Sequence, residues 1–169
     1  MAIGSSALCG TFKREILAGI HRLTSSSRGD SSAISADTYK VAMFTNSASI
    51  DADTTGYTTS NEVSGTNYTA GGAALSSVTI GLGDNSSSVP TAFVDFADTT
   101  FSSSTISSAR GALIYNSTLS GASTGSTTTA AAYPAVAVIN FDADKSSSAG
   151  DFTIQYPANN ANAAIIRIA

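Results

Sequence analysis

From Thr38 onward the apolar residues of this chain come in short alternating runs, each soon stopped by Gly, Ser, Asn or Asp. A chain built that way has few options besides a sheet. Tyr39, Val41, Met43 and Thr45 alternate against Lys40, Ala42 and Phe44 before Asn46 ends the run, which is the two-residue period of a strand. Similar spacing predicts strands over 73–80, 92–96, 112–115, 135–141, 152–156 and 164–168. Gly71-Gly72 and the stretches 81–88, 117–129 and 145–150 carry turn and loop chemistry. Short strands with Ser/Gly connections predict a mainly β fold, an antiparallel β-sandwich or jelly roll of about seven to eight strands.

The N-terminal part follows a different period. Phe12, Ile16, Leu17, Ile20 and Leu23 recur at helical spacing, with Lys13, Arg14, Glu15 and Arg22 falling largely elsewhere. This predicts an amphipathic helix over about 11–23, N-capped by Thr11. The run 24–32, rich in Ser and Gly with no apolar anchor, reads as a hinge. Residues 1–32 are thus expected to form an arm and 33–169 a β-sandwich domain. The apolar stripe Phe12, Ile16, Leu17, Ile20 and Leu23 is the candidate partner-docking face.

Composition narrows the function. The 169 residues include 29 Ser, 21 Thr and 28 Ala but only 13 aromatics and no Trp, and 8 basic residues stand against 12 acidic ones. A net charge of −4 with dispersed Lys and Arg does not suit nucleic acid, whose phosphates need clustered cations. No Lys or Arg occurs between Val41 and Ala109, a stretch holding Asp51, Asp53, Glu62, Asp84, Asp95 and Asp98. Five of the eight basic residues fall in the first forty, so a basic segment precedes an acidic body. The single Cys9 leaves no intrachain disulfide or multi-cysteine zinc site. No apolar run is long enough to cross a bilayer, and the opening lacks the charged start of a signal peptide. A soluble chain made in a cytoplasm is expected.

Several motif-like strings fail on their own mechanics. Gly121-Ala122-Ser123-Thr124-Gly125 matches a hydrolase nucleophile elbow, but no amphipathic helix follows it and the only histidine, His21, lies far upstream. His21 has no second His or Cys cluster for a metal, and is expected on the surface beside the helix stripe. Asp51/Asp53 and Asp142/Asp144 could share a hard cation, yet neither fits a calcium loop; turn initiation accounts for both. Arg28-Gly29-Asp30 spells an adhesion tripeptide inside the hinge, which the hinge itself explains. Gly81-Leu82-Gly83 lacks the third glycine and helix of a dinucleotide loop. The sequons at Asn67, Asn85 and Asn116 mark polar loops. No catalytic residues, cofactor or metal ligands are assigned, and an enzyme is not expected.

Six segments together resemble a family of small virion structural proteins of tailed bacteriophages. They are Phe12-Lys13-Arg14-Glu15-Ile16-Leu17-Ala18-Gly19-Ile20-His21, Asp37-Thr38-Tyr39-Lys40-Val41-Ala42-Met43-Phe44-Thr45-Asn46, Asn61-Glu62-Val63-Ser64-Gly65, Tyr68-Thr69-Ala70-Gly71-Gly72, Ser107-Ser108-Ala109-Arg110-Gly111-Ala112-Leu113-Ile114-Tyr115-Asn116 and Phe152-Thr153-Ile154-Gln155-Tyr156. The resemblance spans most of the chain in order. It departs in the Ser-rich insert 24–35 and at Phe101, where related chains tend to carry Trp.

The resemblance implies a non-enzymatic virion component, made in the host cytoplasm and placed on the phage head as a decoration or cement protein. Its partners would be the major capsid protein and further copies of itself, as a dimer or trimer, with no nucleic acid and no membrane. The alternative is a tail- or fibre-associated protein gripping a host receptor or glycan, with Tyr57, Tyr68 and Tyr133 as surface aromatics.

Overall fold

A computed structural model describes residues 3–25, 35–121 and 131–169. The described residues form nine strands and one short helix: β1 Ala7–Leu8, α1 Gly10–Leu17, β2 Tyr39–Phe44, β3 Gly65–Thr66, β4 Ala73–Ala74, β5 Thr79–Asp84, β6 Pro90–Asp95, β7 Thr99–Asn116, β8 Ala135–Ile154 and β9 Ile166–Ile168. All strand pairs are antiparallel. The larger sheet runs β1-β8-β7-β2-β4 with β3 also on β7, and the smaller runs β5-β6-β9. Val94, Phe96 and Ile166 of the smaller sheet and its flank share one buried cluster with Val41, Ile114 and Val138 of the larger. The fold is therefore mainly β and sandwich-like.

Several element boundaries correct the sequence reading. The strand expected over 112–115 is the end of the 18-residue β7, and those expected over 135–141 and 152–156 are one 20-residue β8. The expected loop 145–150 lies inside β8. Repeated β-bulges interrupt the β7/β8 register, with Ser103, Ser108, Asp142 and Ala149 at φ of 49°, 57°, 61° and 50°. Each bulge breaks the two-residue period, so alternation could not show that the strands continue. Side chains replace the missing ladder bonds. Ile106 N–H donates to Ser147 Oγ, Ser108 N–H to Ser146 Oγ, Ala149 N–H to Thr105 Oγ1 and Ser103 N–H to Asp151 Oδ1. A ribbon this irregular requires short side chains with hydroxyls.

The strand expected over 73–80 is split into β4 and β5, and the expected loop 81–88 gives its first half, Gly81 to Asp84, to β5. Strand 92–96 is observed as β6, opening with Pro90 where its missing N–H costs no ladder bond. Strand 164–168 shortens to β9.

The helix ends at Leu17, not Leu23. Gly19 takes φ +70°, its N–H reaches Ile16 O at 3.1 Å and Ile20 N–H reaches Glu15 O at 3.0 Å. That pair of bonds is a Schellman stop, which needs a residue tolerant of the left-handed region at Gly19. At the other end Cys9, not Thr11, occupies the N-cap and provides no side-chain cap. Ile3, Cys9, Phe12 and Leu23 belong to the same buried cluster as the sheets, and β1 is hydrogen-bonded to β8. Residues 26–32 of the expected hinge lie outside the described residues.

Candidate interaction surface

The five residues expected to form one docking face are divided by the early stop of α1. Phe12 and Leu23 are buried, Ile16 and Ile20 are half-buried, and Leu17 is 89% exposed. Phe12 packs edge-on against the His21 ring at 4.8 Å between centroids. After Gly19 the chain turns back, so His21 and Leu23 point inward and leave Leu17 outside. The stripe serves mainly as an intramolecular seam.

His21 is buried rather than on the surface, and Glu15 is buried rather than on the polar face of the helix. Their side chains meet at 2.9 Å between Nε2 and Oε2. Asn116 Nδ2 lies 3.3 Å from His21 Nδ1 and donates to Asp37 Oδ2 at 2.7 Å. With Asn116 donating to Nδ1, the ring proton sits on Nε2 and points at Glu15. Burial lowers the His21 pKa below 6.5 against the opposing pull of Glu15 and Asp37. The cluster ties α1, the entry to β2 and the end of β7 together. Cys9 is fully buried, and burial with Asp51 and Glu15 nearby pushes its thiol up to about 12; it stays protonated and unreactive.

A second polar cluster joins segments that are distant in sequence. Glu62 accepts from Tyr57 Oη at 2.6 Å, from Tyr68 Oη at 2.7 Å and from Gly71 N–H at 2.8 Å. Tyr68 Oη in turn accepts Met43 N–H at 2.9 Å, and Tyr115 Oη donates to Gly71 O at 2.7 Å. Tyr57 stacks on Tyr115 at 4.4 Å, with Tyr133 edge-on to both. Burial raises the pKa of Tyr57 and Tyr68, reinforced by Glu62, and pushes Tyr115 up to about 12. Tyr68 is therefore buried, and Tyr57 and Tyr133 are half-buried in the same stack. The expected surface platform of these three tyrosines is not formed.

Among the described residues, most of the other exposed large apolar side chains lie on the smaller sheet. Ile80 is 50% exposed, Leu82 76% and Ile168 54%. Leu82, Ala92 and Ile168 face one another in register across β5, β6 and β9, so their side chains share one face. Ile80, two residues from Leu82, falls on that face as well. On the opposite face Phe93 lies over Gly81, where a Cβ would come within 2.3 Å of the ring. The sequence reading placed Gly81-Leu82-Gly83 in a loop. Its alternation of glycine with Ile80 and Leu82 was the available strand signal.

The acidic pairs have structural partners. Asp51 Oδ1 accepts Asp53 N–H at 2.9 Å, forming an Asx turn. Asp144 of β8 pairs with Arg110 of β7 at 2.6 Å, and Asp142 sits at a bulge rather than a turn. Among the described residues no three His, Cys, Asp or Glu side chains converge on a metal-sized site, and no helix is long and apolar enough to cross a membrane. Arg28-Gly29-Asp30, most of Gly121-Ala122-Ser123-Thr124-Gly125 and most of the loop expected over 117–129 lie outside the described residues.

Fold and surface together define an antiparallel, sandwich-like β protein whose exposed large apolar side chains gather mainly on its smaller sheet. No protein-family model, curated protein or solved structure matches the chain.

Proposed function

We propose that this protein is a non-enzymatic structural component of a tailed-phage particle, a head decoration or cement protein that binds the major capsid protein lattice. The virion assignment rests on the sequence resemblance. The observation that carries the binding role is the exposed face of Ile80, Leu82, Ala92 and Ile168 on a surface otherwise rich in Ser and Thr. A contiguous apolar patch on a soluble domain marks a surface built to be covered. If that face binds the assembled shell and not its free subunits, each bound copy stabilises the shell by mass action.

The test is addition of purified protein to particles lacking it, followed by densitometry and thermal release of DNA. Copy numbers that scale with the capsomers, and release at higher temperature, are expected. Leu82→Ser with Ile168→Ser should reduce occupancy at least tenfold without unfolding the chain. Binding at a single vertex, in multiples of three or six, would refute the head reading and support the tail- or fibre-associated alternative. Deleting 1–32 is a poor test, because it removes Ile3, Cys9, Phe12 and Leu23 from the core.

A further inference from the structure

The chain treats its sheet edges unequally. Beyond its short pairing with β1, the outer edge of β8 has no strand partner among the described residues, but the strand carries exposed Asp142 and Lys145 and is bent by bulges. Charges and bulges of this kind discourage edge-to-edge pairing. The outer edge of β5, which has no strand partner among the described residues, carries no bulge and a single charge, Asp84 at its end. Its register with β6 is unbroken from Thr79↔Asp95 to Asp84↔Pro90, and Thr79, Ile80, Leu82 and Asp84 are all exposed.

The hairpin fixes which backbone groups that edge offers. Asn85 N–H donates to Val89 O at 3.0 Å, so Asn85 points its backbone groups toward β6. Direction alternates along an unbroken antiparallel strand, so Gly83, Gly81 and Thr79 also point toward β6. Ile80, Leu82 and Asp84 therefore aim their N–H and C=O groups outward, away from their own sheet.

We infer that β5 pairs with β5 of a second copy, antiparallel about a two-fold axis at Gly81, joining the two smaller sheets into one six-stranded sheet. In that register Ile80 of each copy lies opposite Leu82 of the other, and both residues present outward donors and acceptors. Two reciprocal pairs of hydrogen bonds close the contact. Charge favours a copy of the same chain: Asp84 falls opposite Val78 of the second copy rather than opposite its own equivalent, so no like charges face each other. Gly81 meets Gly81 at the axis with no side chain to separate the strands. The interface is isologous, as a two-fold contact requires, and it makes the apolar faces of both copies continuous. It can be read on the isolated protein, so it stands or falls separately from capsid binding.

The test is sedimentation equilibrium of the full chain, compared with two double variants. The native protein should be dimeric. Ile80→Lys/Leu82→Lys sets lysine against lysine across the axis and should raise the dissociation constant at least tenfold. Ile80→Lys/Leu82→Glu sets lysine against glutamate and should restore most of the association. Register is read by mixing Ile80→Cys protein with Leu82→Cys protein. Facing Cα atoms about 5.5 Å apart lie within disulfide reach, so the mixture should oxidise to a cross-linked pair and neither variant alone should. A native monomer at millimolar concentration, a dimer indifferent to the paired lysines, or equal cross-linking of each cysteine variant with itself would overturn the inference.

Discussion

Replacing Glu62 with alanine should be among the most damaging single changes outside the apolar core. Its carboxylate accepts three hydrogen bonds, and two of the donors, Tyr68 Oη and Gly71 N–H, belong to buried residues. An orphaned buried donor costs about 1–3 kcal/mol. Two of them give a loss of about 4 kcal/mol, with Tyr57 contributing less because water can reach it. For a chain of this size that corresponds to a melting temperature lowered by about 8–16 °C. Glu62→Gln retains an acceptor oxygen and should lose about 1–2 kcal/mol. Calorimetry of the three proteins measures the order directly. A second readout isolates the charge: Glu62 helps hold Tyr57 and Tyr68 protonated, so tyrosinate absorbance should rise at lower pH in Glu62→Gln than in the native protein. In all forms stability should fall as pH rises past 10, because the folded chain keeps phenol protons that the unfolded chain releases. A Glu62→Ala loss below about 1 kcal/mol, or an unchanged tyrosine titration in Glu62→Gln, would refute the role assigned to this carboxylate.

In the ribbon, Ser147→Ala leaves the Ile106 N–H without its acceptor and should cost about 1–2 kcal/mol. Ala149→Gly, at φ 50°, should gain about 0.5–1 kcal/mol by relieving the left-handed strain; denaturant titration checks both. Because burial lowers the His21 pKa, the folded chain takes up that proton less readily than the unfolded chain. The stability contribution should be complete above pH 6.5 and decline below it, and His21→Gln should flatten the slope in unfolding titrations from pH 7.5 to 5.5. Glu15, Asp37 and Asn116 are the groups facing that ring. Phe12→Ala should destabilise by about 3–5 kcal/mol, whereas Leu17→Ala should change stability by less than about 0.5 kcal/mol. Comparable losses at both positions in thermal melts would contradict the divided stripe.

The fold class was legible because β2 keeps a clean two-residue period and the turns carry Gly, Ser and Asn. The long strands were not, since a bulge shifts the alternation by one residue and makes a continuous strand look like a strand, a loop and another strand. Helix length was partly legible. Gly19 followed by apolar Ile20 is the composition of a Schellman stop, but the helical spacing runs past it as far as Leu23. The buried fate of His21 was not legible, because its partners Asp37 and Asn116 arrive from elements 16 and 95 residues away. Glu62 has its partners Tyr57, Tyr68 and Gly71 within nine residues, but they close around it through irregular turns that leave no periodic signal. The candidate surface was hidden by its glycines. Gly81 leaves room for Phe93 on one face, and in doing so resembles loop chemistry in one dimension.

The Ser and Thr content now has a specific physical use. In the β7/β8 ribbon the hydroxyls of Thr105, Ser146 and Ser147 accept backbone bonds that the bulged ladder cannot make, so a long twisted ribbon is held with little apolar bulk. Bulges and charges on β8 then keep that ribbon's edge from pairing. The smaller sheet has the opposite character: a regular register, no basic residue on β5 or β6, and isoleucine and leucine left exposed. A chain with scattered surface apolar residues would need no explanation. Here they occupy matched positions on neighbouring strands, beside an edge that lacks the bulges of β8 and whose one charge, Asp84, stands at its end. That contrast within one molecule is the strongest physical reason to look for this protein's partners at β5.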